Sequence, residues 1–364
     1  MRSVSLAIGA VLASLLPCQA AEITLANWNI QTLVYPGDPK TVFPEDYRRE
    51  AGDYADLIRW RDNTGASIFL LQEVSSPAAL DAVFPVAEGW IHCISGQYAM
   101  AQGLPPGPVC TRPGETAHRP AGNDRFQHPA IAIRPETAVT LGPIADYQEL
   151  NVRSMDGEQE RDLRWGLDAT LIAGSEKLRV LVVHMKSGCF DDQIQRKLWE
   201  NPPAPPAAKF ACDTLGRQLY PLRAWVEARD AAGEKWMLAG DFNRRLDAGA
   251  GPYQDEVWRA LSGYARTKDG VDLDANRRDI RLFRSPYKEL SACWREFRNP
   301  EPATLAEADD YNILPIEFFI YGEQTLQQVV KGSGVQVAWP NGTLADKKRL
   351  SDHCPRTLKV RIGS

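Results

Sequence analysis

Short apolar runs that end in polar residues recur along the chain. Alternating or continuous apolar positions over a short stretch are typical of β-strands, and a continuous run is typical of a strand covered on both faces. The pattern predicts strands at residues 23–30, 68–71, 129–133, 164–172, 178–183, 236–239, 314–321 and 357–362. Gly174 and Ser175 predict a turn between two of these strands.

Other stretches have a different pattern. Residues 47–60 and 215–229 carry apolar side chains at helical spacing and are predicted helices. Residues 90–122 are rich in Pro and Gly, which predicts an irregular surface loop. The strongly charged residues 251–286 are interpreted as a solvated insertion, with a patch that grips substrate as the alternative.

Polar side chains occupy the ends of the predicted strands. They are Asn29, Glu73, His184, Asp241, Asn243, Asp352 and His353, and Glu317 lies within an otherwise apolar strand. Asp241 and Asn243 are two residues apart, so in an extended segment both side chains point the same way and can address one ligand. Ligands of α/β sheets usually bind outside the carboxyl ends of the strands. An Asx turn is the alternative interpretation of this pair.

These residue types favour a particular chemistry. Carboxylates and amides are hard oxygen donors, which suit Mg²⁺, Mn²⁺ or Ca²⁺, whereas two histidines are too few for zinc without help from carboxylates. A divalent ion with two histidines favours hydrolysis of a phosphate ester, in which one histidine activates water and the other stabilises the developing negative charge. His353 is the predicted base, because Asp352 and Glu317 provide carboxylates that can fix its tautomer.

Composition sets wider limits. The chain has 364 residues and a formal charge of -5, which argues against a strongly basic nucleic-acid binder but leaves a local basic cleft open. Residues 1–20 combine Arg2, an apolar stretch and a small-residue site before Ala21, which predicts a cleaved signal peptide. Residues 21–364 are then one domain, secreted or periplasmic, with no predicted transmembrane segment. A lipid anchor on Cys18 is the alternative.

The cysteines agree with export. Without Cys18, six remain: Cys93, Cys110, Cys189, Cys212, Cys293 and Cys354. An even number in an exported chain favours disulfides over metal thiolates or a catalytic thiol. Proximity along the chain suggests Cys93–Cys110 and Cys189–Cys212, which leaves Cys293 and Cys354 as a third pair. Free, buried cysteines are the alternative.

Five short motifs follow one another along the chain: Trp-Asn at residues 28–29, Gln-Glu at 72–73, His-Met-Lys-Ser-Gly at 184–188, Gly-Asp-Phe-Asn at 240–243 and Ser-Asp-His at 351–353. In this order they resemble the motifs of the endonuclease/exonuclease/phosphatase superfamily. The resemblance runs from about residue 23 to residue 362. It implies an α/β fold of the deoxyribonuclease I-like class, a four-layer α/β/β/α sandwich whose two mixed β-sheets place all five motifs at one cleft.

The resemblance also implies which residues bind metal. Glu73 resembles the principal metal ligand, Asn29 lies beside it, and Asp352 resembles a second metal or orienting carboxylate. The implied cofactor is Mg²⁺, with Mn²⁺ or Ca²⁺ as alternatives.

Catalytic roles follow from the same resemblance. Asp241 and Asn243 resemble the pair that orients the nucleophilic water and holds the phosphate. His353 resembles the general base and His184 the phosphate-binding histidine. Glu317 stands where the family usually has Asp, and its longer side chain is expected to reach His353.

Other positions concern the substrate. Some deoxyribonuclease-like members carry a glutamate that pairs with the first histidine, and Gln127 is the nearest equivalent here. Arg125 is a predicted phosphate contact, and Lys186 belongs to an extension that resembles secreted bacterial members. Arg244 follows the Gly-Asp-Phe-Asn motif and is predicted to bind substrate.

We therefore expect an exported, monomeric, metal-dependent phosphodiesterase that acts on nucleic acid. Basic residues beside two motifs are placed to meet phosphates, although ordinary surface charge explains them equally well. They are Arg244, Arg245, Lys347, Lys348 and Arg349. One alternative keeps the chemistry but takes a phospholipid, sphingomyelin or a small phosphoester as substrate. Another is a catalytically silent binding protein on the same scaffold.

Overall fold

The computed structural model describes most of the chain. The described residues are 20–35, 49–120, 127–134, 138–152, 154–156, 159–189, 194, 207–246, 255–262, 280–288, 315–339 and 350–363. Residues 1–19 of the predicted signal peptide, Arg125, Cys293 and residues 347–349 therefore lie outside them.

Helices separate the strands in the first part of the chain, whereas the seven strands between residues 109 and 184 follow one another without an α-helix between them in the described residues. The strands are β1 (Ala21–Leu33), β2 (Ile68–Val74), β3 (Ile91–Ile94), β4 (Val109–Thr111), β5 (His128–Ile133), β6 (Thr140–Tyr147), β7 (Ser154–Asp156), β8 (Gln159–Arg161), β9 (Gly166–Ala173), β10 (Glu176–His184), β11 (Trp236–Asp241), β12 (Leu282–Arg284), β13 (Glu317–Gly322), β14 (Val335–Gln336) and β15 (Arg356–Ile362). The α-helices are α1 (Ala51–Asn63), α2 (Pro77–Val83), α3 (Gly96–Ala101), α4 (Ala207–Ala231), α5 (Glu256–Ser262) and α6 (Glu323–Leu326).

Two mixed sheets form the centre of the molecule. The first has the order β14-β15-β1-β2-β5-β3-β4, the second has the order β12-β13-β11-β10-β9-β6, and β7 and β8 form a separate hairpin. β1 runs parallel to β2, and β10 runs parallel to β11, whereas β15, β9 and β13 pair antiparallel with their neighbours. The carboxyl ends of the parallel strands are therefore available at one edge of each sheet.

Apolar side chains on the two faces of each sheet enter different cores. Along β10, Val180 and Val182 pack between the two sheets, whereas Leu181 and Val183 pack with residues of α4 and α5. The outer face of the first sheet packs in the same way against α1 and α2. This alternation follows from the two-residue period of a strand. The result is the predicted four-layer α/β/β/α sandwich with two mixed sheets.

The predicted strands and both predicted helices are present. Most bounds agree within a few residues, but α4 (Ala207–Ala231) begins well before the predicted start at residue 215. The prediction of an irregular loop at residues 90–122 is wrong in part, because β3 and β4 extend the first sheet and α3 connects them. These strands are short, and the Pro and Gly residues between them interrupt the apolar pattern from which strands are predicted. β6 was also not predicted, since most of its residues are only partly buried and lack a continuous apolar run.

Two of the predicted disulfides are present. Cys93 and Cys110 face each other on β3 and β4, and Cys189 is bonded to Cys212 at the start of α4. Cys354 is also disulfide-bonded, whereas its predicted partner Cys293 lies outside the described residues. None of the helices in the described part of the chain is long and apolar enough to cross a membrane.

Gly240 allows the parallel pairing that leads into the Gly-Asp-Phe-Asn motif. It lies opposite Val183, and a Cβ atom at this position would overlap the backbone carbonyl of Val183. We therefore predict that Gly240→Ala lowers the free energy of unfolding by about 1–3 kcal/mol, as overpacking does in other cores. Urea unfolding followed by circular dichroism measures this change.

Gly52→Ala provides the matched control. A Cβ atom at Gly52 would meet no other atom within 4 Å, and the residue lies in α1. Alanine is a better helix former than glycine, so the control should be neutral or slightly stabilising. Equal unfolding midpoints for the two variants would contradict the proposed overlap.

Candidate active site

A buried amide contact joins the two sheets at the edge where the motifs meet. Asn27 Nδ2 donates to the carbonyl of Gly240 at 3.0 Å, and Asn27 Oδ1 accepts from Gln72 Nε2 at 3.0 Å. All three residues are buried. Because the partners lie on β1, β2 and β11, this contact fixes the strand ends of one sheet relative to those of the other.

The backbone at this edge adopts conformations that are rare for residues other than glycine. Among the described residues, the non-glycine residues with positive φ are Gln31, Thr32, Glu73 and Asn243, and all four belong to the motif strands or follow them directly. Such conformations cost on the order of 1–3 kcal/mol each and persist where the surroundings fix them. Their concentration here is typical of a functional site.

Arg49 helps to hold the backbone in these conformations. Its guanidinium donates to the carbonyls of Ile30, Gln31 and Thr32 at 2.6–2.9 Å and to the carbonyl of Leu350 at 2.6 Å. The side chain thus ties the end of β1 to the loop that carries the Ser-Asp-His motif. Burial lowers the pKa of Arg49 to about 10, so the group remains charged at neutral pH.

Asn29 bridges two carboxylates. Its Nδ2 donates to Glu73 Oε1 at 3.2 Å and to Asp241 Oδ2 at 3.0 Å, while its Oδ1 accepts from the backbone N–H of Gln31 at 3.0 Å. Asn29 therefore lies beside Glu73, as the resemblance implied, but it presents a donor to Glu73 in this arrangement. Burial raises the pKa of Asp241 to about 7.

His353 forms a buried pair with Glu317. Its Nδ1 is hydrogen-bonded to Glu317 Oε1, and Arg356 lies 3.3 Å from Glu317 Oε2. The longer glutamate thus reaches the imidazole, as expected. Burial alone would raise the pKa of Glu317, but the charge and hydrogen bond of His353 lower it to about 2. Burial by itself would lower the pKa of His353. The negative charges of Asp352 and Glu317 have the larger, opposite effect, so the pKa of His353 lies well above its ordinary value.

The Ser-Asp-His loop is tied to β1. Ser351 Oγ donates to the carbonyl of Asn29 at 2.9 Å and accepts from the backbone N–H of His353 at 3.0 Å. The N–H of Asp352 donates to Gln31 Oε1 at 2.8 Å, and Trp28 Nε1 donates to the carbonyl of His353 at 3.1 Å. These contacts explain how a loop distant in sequence is held against the first motif.

His184 lies between the carboxylates of two motifs. Its Nε2 is 3.6 Å from Asp241 Oδ2 and 3.8 Å from Glu73 Oε1. Burial and the positive charges of Arg164 and His353 lower its pKa well below the ordinary value, so the imidazole is neutral at neutral pH. Gln127 contacts Glu73 and Arg164 rather than His184.

Asn243 does not continue the extended strand. Its φ is 50°, its backbone N–H donates to Asp241 Oδ1 at 2.7 Å, and its Nδ2 donates to the carbonyl of Met185 at 3.0 Å. The Asx turn considered as the alternative is therefore present. It places Asp241 toward Asn29 and Asn243 toward the chain after β10, so the two side chains approach the site from different directions.

The predicted substrate contacts differ in their surroundings. Lys186 is partly buried, and its backbone N–H donates to Gln218 Oε1 at 2.9 Å. Arg244 is only 3% exposed, contrary to the expectation of an open phosphate contact. It pairs with Asp255 at 2.7 Å and donates to the carbonyl of Cys189 at 2.9 Å. Its position favours a structural role.

The oxygen atoms of the site suit a cation that keeps several water ligands better than a cation bound by protein ligands alone. Among the described residues, no three His, Cys, Asp or Glu side chains form a group that could hold a metal by themselves. Asp352 Oδ1 is buried, accepts no hydrogen bond from the described residues and lies 3.4 Å from His353 Nε2. Burial raises the pKa of Asp352, and the negative charge of Glu73 adds to this rise. Mg²⁺ usually retains several waters and needs only one or two carboxylates, which Glu73 and Asp352 would supply.

Several residues of the site were not predicted from the sequence. Arg49, Thr32, Arg164 and Arg356 lie outside the five motifs, and no local pattern distinguishes them from surface residues. Their roles depend on partners distant in the chain. A buried carboxylate needs hydrogen-bond donors or positive charges. The sequence could therefore have suggested that Glu73 and Glu317 have such partners, but not which residues they are.

Comparison with known proteins supports the fold. The sequence matches no family model and no curated protein. An endonuclease/exonuclease/phosphatase structure from Bacteroides vulgatus is 11% identical with a TM-score of 0.53, over 94% of this chain and 99% of that one. A family protein from Bacteroides thetaiotaomicron is 12% identical with a TM-score of 0.51, over 94% and 98%. A functionally unknown conserved protein from Enterococcus faecalis is 13% identical with a TM-score of 0.52, over 93% and 99%.

The protein therefore has the fold of the endonuclease/exonuclease/phosphatase proteins, as the five motifs predicted. The alignments span nearly the whole of the compared chains, so the similarity concerns the complete sandwich. At these identities the similarity establishes the architecture and leaves the reaction to be argued from the site.

The buried position of Arg244 leads to a testable prediction. Arg244→Gln should lower the free energy of unfolding by about 3–5 kcal/mol, because it leaves Asp255 buried without its charged partner. Arg59→Gln removes an exposed arginine that pairs with Asp56, and should change stability by less than about 1 kcal/mol. Chemical denaturation of both variants provides the measurement. A stable Arg244→Gln protein with a raised KM would instead support direct substrate binding.

Proposed function

We propose that the protein is a divalent-cation-dependent phosphodiesterase that hydrolyses nucleic acid. The observation that carries this proposal is the convergence of two histidines and several carboxylates where the strand ends of both sheets meet. They are His184, His353, Glu73, Asp241, Glu317 and Asp352. The fold shared with endonuclease/exonuclease/phosphatase proteins supports the assignment.

His353 is the group that we assign to the activation of water. Its Nδ1 bonds to Glu317, so Nε2, which faces Asp352, is the nitrogen that accepts a proton once the imidazole is neutral. Because Asp352 and Glu317 raise the pKa of His353 well above its ordinary value, this neutral form becomes available as the pH rises. Glu317 is held by Arg356 and stabilises the imidazolium that forms. When bound beside Asp352, a divalent cation would offset negative charge on that carboxylate and on the phosphate oxygens.

The remaining side chains bind and orient the substrate. His184 is neutral and can donate a hydrogen bond to a phosphate oxygen. Asp241 is anchored by Asn29 and by the N–H of Asn243, which suits it to orient the attacking water. Asn243 donates one amide hydrogen to Met185 and retains a second for the phosphate.

Export forms part of the proposal. The disulfides Cys93–Cys110 and Cys189–Cys212 are typical of proteins in an oxidising compartment. Together with the sequence of residues 1–20 they support a secreted or periplasmic location.

The reaction and its substrate can be tested together. Purified protein would be incubated with plasmid DNA, RNA, sphingomyelin and bis(p-nitrophenyl) phosphate, each with Mg²⁺ and with EDTA. Nicking of the plasmid or cleavage of RNA that requires Mg²⁺ would support the proposal. Turnover of only the lipid or the small ester would retain the chemistry and change the substrate. No cation-dependent turnover of any substrate would contradict the proposed function.

His353 should dominate the rate. We predict that His353→Ala lowers kcat by about 100- to 10,000-fold, the range typical of a lost general base. Glu317→Gln should cause a smaller loss, because the imidazole remains but loses its negative partner. Initial rates on the active substrate measure both effects.

His118→Ala is the matched control for this substitution. The His118 imidazole bonds to Tyr98 rather than to a residue of the candidate site. Its removal should leave kcat within about twofold, because this half-buried imidazole bonds to Tyr98 and has no assigned part in the reaction. Full activity of His353→Ala would exclude this residue as the base.

A further inference from the structure

The carboxylate of Glu73 is held asymmetrically. Oε2 accepts three hydrogen bonds: from the backbone N–H of Thr32 at 3.0 Å, from Thr32 Oγ1 at 3.2 Å and from Gln127 Nε2 at 2.6 Å. Oε1 accepts from Asn29 Nδ2 at 3.2 Å and lies 3.8 Å from His184. Three of these four hydrogen bonds thus reach Oε2, while Oε1 faces Asn29 and His184.

Gln127 connects this carboxylate to a positive charge. Its Nε2 donates to Glu73, and its Oε1 accepts from the guanidinium of Arg164. A side-chain amide can make both contacts because it carries an acceptor and a donor on adjacent atoms. A glutamate at position 127 would instead place a second carboxylate against Glu73.

We propose that Gln127 and Arg164 are positioning residues that hold Glu73 with Oε1 directed into the site. The proposal rests on the proposed function, because it assigns Glu73 Oε1 to the bound cation. Arg164 fixes the orientation of the amide, and the amide fixes Oε2. The two residues therefore act in series rather than independently.

The local backbone explains why such support is needed. Glu73 and Thr32 have φ values of 64° and 52°, which are rarely adopted by residues other than glycine. Gln127 also donates to Thr32 Oγ1 at 3.1 Å, so one amide contacts both strained residues. Residues that orient a metal ligand commonly affect metal affinity by about 10- to 100-fold.

The test measures metal binding directly. Mn²⁺ affinity would be determined by electron paramagnetic resonance, with Mg²⁺ as competitor, for the wild type, Gln127→Met, Gln127→Glu, Arg164→Met and the double variant Gln127→Met/Arg164→Met. We expect each single variant to bind Mn²⁺ about 10- to 100-fold more weakly. The double variant should bind no more weakly than the weaker single variant, because both substitutions break the same connection.

Gln328→Met is the matched control, since it removes another buried glutamine that lies on the turn after α6. Its Mn²⁺ affinity should equal that of the wild type. Gln127→Glu is close to isosteric, so it provides the test if Gln127→Met does not fold, as judged by thermal unfolding.

The outcomes separate the positioning role from the proposed function. A wild-type protein that binds Mn²⁺ and hydrolyses phosphodiesters, with Gln127 variants that bind Mn²⁺ equally well, overturns the positioning role alone. Additive losses in the double variant overturn the connection between Gln127 and Arg164. A wild type that neither binds Mn²⁺ nor hydrolyses any ester overturns the proposed function, and the positioning role with it.

Discussion

The burial of carboxylates where the two sheets meet is the constraint on which the site depends. A buried carboxylate is costly unless charges or hydrogen-bond donors compensate it. Glu317 is compensated by His353 and Arg356, whereas Asp241 and Glu73 receive mainly amide and hydroxyl donors. The structure thus uses full positive charge at one end of the site and neutral donors at the other. Such asymmetry suits a cleft in which one carboxylate holds a histidine and another remains available to a ligand.

Some of the hydrogen-bond donors of the site lie on a backbone with positive φ angles, at the edge where the strands of the two sheets end. With its positive φ, Thr32 donates from its backbone N–H and its Oγ1 to the carboxylate of Glu73, whose own φ is positive. Arg49 binds the carbonyls of Gln31 and Thr32. The same guanidinium reaches the loop that carries His353 through Leu350. The strained end of β1 and the loop that carries the base are therefore linked through a single buried charge.

The side chains assigned to the proposed reaction and the arginine expected to bind phosphate have different surroundings. The residues that perform the proposed reaction lie on or beside strand ends, and three hydrophobic clusters pack the strands in place. Arg244, which was expected to meet phosphates, is instead used to compensate Asp255 inside the protein. The proposal that the substrate is nucleic acid therefore rests on the chemistry of the site and on the shared fold. It does not rest on a basic surface in the part of the chain that the structure describes.

The sequence by itself determined the strands that have clear apolar runs, the two long helices and the five motifs, because apolar periodicity and the polar residue at a strand end are local properties. It did not determine β3, β4 and β6, whose apolar pattern is short or interrupted. It also indicated that Glu317 pairs with His353. Only the tertiary structure decided that Asn243 turns away from the strand, that Arg244 is buried, and that Gln127 contacts Glu73 instead of a histidine. The reason is physical: burial and hydrogen-bond partners depend on segments far apart in the chain, and an arginine or glutamine carries no local signal of which partner it will meet.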